Sequence, residues 1–89
     1  MARAVLLETL RPYRTKSYAQ LRDLTGEIDV YQIENPEGAD FQIEIQVYWD
    51  HEPDGNICVP GGIDDGGWSA FAPLSEDFIL ATDGSFVGE

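Results

Sequence analysis

The sequence predicts an α+β domain in which two N-terminal helices pack on one face of an antiparallel sheet of four to six strands, forming a two-layer sandwich. Three observations predict it. Apolar residues recur at helical spacing up to Gly26 and at a spacing of two beyond it. The apolar runs after Gly26 are joined by short turns with no helix between them, which forces antiparallel neighbours. The longest of these runs has one apolar and one polar face, so one side of the sheet needs a cover, and the helices are the only cover the chain offers.

Residues 1–26 form the helical layer of a single domain spanning 1–89. Val5, Leu6, Leu7 and Leu10 cluster along one side of a first helix. Pro12 is expected to stop it, because proline lacks an amide and its ring clashes with the carbonyl four residues back. A second helix begins at Ser17, which stands three residues before Gln20 in capping-box spacing. Tyr18, Leu21 and Leu24 continue it, and Gly26 is placed to close it.

Residues 27–89 form the sheet. Ile28 and Val30 alternate with Glu27 and Asp29, predicting a strand to Glu34 whose acids point away from the apolar face. Ile33 falls on the other parity, so a bulge or strand end is expected near Tyr31 and Gln32. After the turn Asn35-Pro36-Glu37-Gly38 comes the clearest strand, with Phe41, Ile43, Ile45, Val47 and Trp49 facing one way. Gln42, Glu44, Gln46 and Tyr48 face the other. A polar loop at 50–56 leads to a short strand at 57–59, expected to stop at Pro60-Gly61-Gly62. An acidic turn at 64–67 precedes Trp68 and Phe71, and the apolar runs 78–81 and 86–88 flank a hairpin turn at Asp83-Gly84.

With 43% hydrophobic and 11% aromatic residues, 89 residues suit one small core rather than a disordered acidic tail. The single cysteine, Cys58, excludes an internal disulfide framework and a thiolate zinc site. No apolar run approaches the roughly 20 residues that span a bilayer. The stretch Ala4 to Leu7 is broken by Glu8 before it reaches signal-peptide length. A soluble, cytoplasmic protein without membrane contact is therefore expected.

Charge is divided along the chain. Arg3, Arg11, Arg14, Lys16 and Arg22, all five basic residues, precede position 23, where Glu8 is the one acid. The remaining 16 of the 17 carboxylates follow, with no Lys or Arg among them. Turns favour Asp for its backbone hydrogen bonds and an outer sheet face must be polar, which explains the acids. It does not explain the missing cations, since mixed charge is the common route to solubility. An acidic sheet face that steers a basic protein partner is one explanation, and adaptation to high salt is another. Direct nucleic-acid binding is excluded by the strongly negative body and the lack of a basic–aromatic module.

The residues expected to meet a partner are Glu27, Asp29, Glu44, Tyr48, Asp64, Asp65 and Trp68, with the two aromatics as anchors for Arg or Lys side chains. Asp50, Glu52 and Asp54, followed by Gly55, resemble the opening of an EF-hand loop, the alternative being a calcium module. Position 12 of that loop would be Gly61 instead of glutamate, and its flanks are strands. A small enzyme is the remaining alternative. The neighbouring Asp64 and Asp65 lie in an open turn, without the enclosure that shifts a pair of pKa values apart. Cys58 sits between Ile57 and Val59 like a small buried hydrophobe, seven residues from His51 in an acidic loop. The expectation is a non-enzymatic protein-binding domain without cofactor, an inhibitor or adaptor, acting as a monomer or weak homodimer.

Overall fold

The computed structural model describes residues 2–34, 36, 40–64 and 74–88. Helices α1 (Ala2–Arg14) and α2 (Tyr18–Leu24) precede strands β1 (Ile28–Ile33), β2 (Phe41–Gln46), β3 (Tyr48–Trp49), β4 (Ile57–Asp64) and β5 (Leu74–Leu80). Every pairing is antiparallel: β1 with β2, both β2 and β3 with β4, and β4 with β5. The sheet is thus a meander covered on one face by the helices, the α+β class that the sequence predicts.

Strands β2 and β3 are one line. Ile45 pairs with Gly61 and, three residues on, Tyr48 pairs with Cys58, so the register against β4 never shifts. Between them, the Val47 amide bonds to the Glu27 carbonyl at 3.3 Å and its carbonyl accepts from Gly26 at 2.8 Å. Backbone groups of successive strand residues point to opposite sides, so Gln46 turns toward β4. There it meets Pro60, which has no N–H to offer. The expected strand over 41–49 exists, and one proline interrupts its ladder.

Helix α1 does not stop at Pro12 but runs two residues past it. A proline in the last turn forfeits a single hydrogen bond, and continuing the helix places Tyr13 in line with Leu6 and Leu10. These three are 0, 2 and 3% exposed, whereas Leu7 lies off the stripe at 44%. Helix α2 carries the predicted capping box: Ser17 Oγ accepts from the Gln20 amide, and Gln20 Oε1 accepts from the Ser17 amide. Gly26 then takes a φ of +89°, which only glycine adopts without strain, and turns the chain into β1.

Strand β1 inverts the predicted orientation. Its register runs unbroken from Ile28 opposite Gln46 to Ile33 opposite Phe41, with no bulge. Asp29, Tyr31 and Ile33 therefore share the helix-covered face with Ile45, Ile43 and Phe41, and Asp29 does not point outward. Ile28 and Val30 stand on the open face, 58 and 57% exposed. The unbroken pairing with β2 fixes the parity, and Asp29 is accommodated inside by a hydrogen bond from Tyr13.

Strand β4 is also longer than the sequence suggests, continuing through Pro60-Gly61-Gly62 to Asp64 while β5 pairs along it from Leu80 to Leu74. Gly61 continues the inward parity of Ile57, Val59 and Ile63. A Cβ there would lie 3.1 Å from Leu6 Cδ1 and 3.3 Å from Leu10 Cδ2, so the glycine is where α1 comes down on the sheet. Asp64, expected in the acidic turn, consequently ends β4, and Glu76 and Asp77 lie within β5. Leu6, Leu10, Tyr13 and Leu21 from the helices close the core over Phe41, Ile43, Ile45, Val47, Ile57, Val59, Ile63, Phe78 and Leu80.

Candidate functional site: the outer sheet face

Alternation sorts the remaining side chains onto the face away from the helices. Ile28, Val30 and Gln32 come from β1, Gln42, Glu44, Gln46 and Tyr48 from the β2–β3 line, Cys58, Pro60, Gly62 and Asp64 from β4, and Ser75, Asp77 and Ile79 from β5. Pro60 and Gly62 stand low between their neighbours. A groove of about 400 Å³ follows, lined by Gln42, Glu44, Gln46, Pro60, Gly62, Asp64 and Ser75 on the outer face. Gly62 pairs with Glu44 on one side and with Ser75 on the other, so it is an empty side-chain position between two polar walls. The Gln46 amide donates to Glu44 Oε1 at 3.1 Å, which holds that carboxylate along the groove.

The cations lie elsewhere. Arg3 pairs with Glu76 on the helix-covered side of β5 at 2.7 Å, and Arg11 with Glu8 on α1 at 2.7 Å. Arg14 lies 4.4 Å above the Phe86 ring and 5.3 Å from that of Phe78, while Arg22 is 3.9 Å from Asp23. Since Lys and Arg are confined to residues 3–22, the outer face carries Glu44, Asp64 and Asp77 with no positive side chain of its own element.

Of the residues singled out from the sequence, Glu44, Tyr48 and Asp64 share this face. Glu27 is exposed at the entry to β1, Asp29 is on the opposite side, and Asp65 and Trp68 lie outside the described residues. Tyr48 is 44% exposed, and its phenol hydrogen-bonds Cys58, the first cause that raises its pKa above the ordinary value. Cys58 is buried, and burial raises its thiol pKa despite the Tyr48 bond, with Asp77 and Asp50 adding to the rise. It keeps its proton at neutral pH, the reverse of an activated nucleophile. The His51 side chain is 89% exposed beside Asp50.

The 50–56 loop spends its backbone on closing itself. The Asp50 amide bonds to the Asn56 carbonyl at 2.9 Å and the Gly55 amide to the Glu52 carbonyl at 3.1 Å. Tyr18 on α2 donates to the Gly55 carbonyl at 2.7 Å, and Asp54 takes a left-handed φ of 67° at the tip. Asp50, Glu52 and Asp54 do not gather as ligands: among the described residues, no group of three or more His, Cys, Asp or Glu side chains could hold a metal ion.

The sequence reading placed Gln42 and Gln46 on the polar strand face without assigning them to the site, and it missed Ser75 and Asp77 there. It also missed the floor at Pro60 and Gly62. The available signal was the parity of Ile57, Val59 and Ile63, which carries straight through the glycines. No protein-family model, curated protein or solved structure matches the chain.

Proposed function

We propose that this domain is a non-enzymatic, cytoplasmic binding module that takes a basic protein partner on the outer sheet face. The observation that carries the reading is the coincidence of Glu44, Asp64 and Asp77 on one face of the sheet, with the chain's cations in the helical layer. Opposite potentials on the two layers orient an approaching cationic surface toward the sheet, an effect that fades beyond about 10 Å in 0.1 M salt. Tyr48, exposed on the same face within the field of Asp50 and Asp77, adds an amphipathic contact of the kind that anchors interfaces. The protonated, buried Cys58 accords with a role that involves no covalent chemistry.

The test is titration of a Lys- and Arg-rich peptide at low ionic strength, followed through backbone amide resonances. Shifts should concentrate on Gln42, Glu44, Gln46, Gly62 and Asp64, weaken as salt rises, and vanish in a Glu44→Lys/Asp64→Lys variant that still melts cooperatively. Equal binding by that variant would remove the sheet face from the account.

A further inference from the structure

We infer that the groove over Gly62 receives an arginine side chain from an extended segment of the partner. This inference rests on the proposed sheet-face reading and specifies its contact. Three features converge on it. Gly62 leaves an unfilled position flanked by Glu44 and Ser75, and Asp64 and Pro60 border it along β4. The walls are acceptors: the carboxylates of Glu44 and Asp64, the amide oxygens of Gln42 and Gln46, and the Ser75 hydroxyl. Opposite Pro60, the Gln46 carbonyl faces a residue that has no N–H, so a main-chain acceptor adjoins the groove where a strand would ordinarily supply a donor.

A guanidinium matches this arrangement better than an ammonium does. It is planar, weakly hydrated on its faces and carries five donors around its edge, so it can lie on the flat Pro60–Gly62 floor while its edge meets acceptors on both walls. An ammonium is a strongly hydrated point charge that would satisfy one wall and leave the floor uncovered. The groove volume of about 400 Å³ falls at the small end of ligand sites, which run from about 300 to 1,000 Å³, as a single side chain requires.

The experiment uses three otherwise identical nine-residue peptides with Arg, Lys or citrulline at the centre of a Gly/Ser/Lys background, titrated into the intact domain. The Arg peptide should bind at least tenfold tighter than the citrulline peptide and several-fold tighter than the Lys peptide, with the largest amide shifts at Gly62 and its neighbours. Gly62→Val, which fills the position without altering charge, should abolish the Arg preference, and Glu44→Gln should reduce it if the valine variant fails to fold. Equal affinities for the three peptides, or an Arg preference that survives both substitutions, would overturn the inference. Binding that is lost in Glu44→Lys/Asp64→Lys but shows no Arg preference would overturn it while leaving the sheet-face reading standing.

Discussion

Tyr13 donates to Asp29 Oδ2 across 2.5 Å, tying the last turn of α1 to the edge strand β1. The Tyr31 hydroxyl lies 2.6 Å from the same phenol, so an acid and two tyrosines form a hydrogen-bonded cluster between the layers. This cluster allows Asp29 to occupy the helix-covered face. Tyr13 is 3% exposed, and removing its hydroxyl would strand a partly covered carboxylate.

Tyr13→Phe should therefore destabilise the domain by about 1–3 kcal/mol, the cost of leaving such a group without its donor. In a urea unfolding series, Tyr13→Phe/Asp29→Asn should lose less than the sum of the two single variants. Additive losses would mean the pair is not coupled.

The same cluster sets an alkaline limit. Burial first, then the hydrogen bonds to Asp29 and Tyr31, push the Tyr13 phenol above its ordinary pKa of 10.0. In the unfolded chain the phenol ionises near its ordinary value, so its contribution to stability is complete below that pH and is lost as pH rises beyond it toward the higher folded-state pKa. Cys58, raised from 9.0 chiefly by burial, and Tyr48, raised through its bond to Cys58, act in the same direction. The melting midpoint should stay level between about pH 7 and 9 and then fall, with part of the fall above pH 10 absent in Tyr13→Phe. A midpoint unchanged to pH 11.5 would contradict the assignment.

The inverted parity of β1 has its own signature. Val30→Thr and Ile28→Thr alter side chains on the open face, so each should change stability by no more than about 0.5 kcal/mol. Ile43→Ala, in the covered layer of the adjacent strand and 0% exposed, should cost about 2–5 kcal/mol. Comparable losses at Val30 and Ile43 would restore the orientation read from hydropathy.

Gly61 lies directly beneath Leu6 and Leu10 of α1. A branched side chain there presses on Leu6 and Leu10, and Gly61→Val should cost about 1–3 kcal/mol through overpacking. Leu6→Ala alone should also destabilise, yet in Gly61→Val it should recover part of the loss by returning space to the valine. Thermal melts of the four proteins in that cycle measure the compensation.

Much of the domain is legible in local chemistry. The Ser17–Gln20 capping box, the Gly26 turn and the alternation from Phe41 to Trp49 are contacts between near neighbours, or a period repeated along one strand, and a single sequence displays both. The split between a cationic helical layer and an acidic sheet is visible for the same reason, since charge and element type change at nearly the same position. Tertiary contact decided the rest. Whether Pro12 ends α1 depends on what Tyr13 gains by burial, and which side of β1 faces inward depends on pairing with β2 and on a phenol 16 residues away. Pro60 and the two glycines after it carry a local turn signal, and neighbouring strands on both sides hold them extended in β4. The groove on the outer face follows from that placement: a missing side chain becomes a binding surface only once the strands beside it supply the walls.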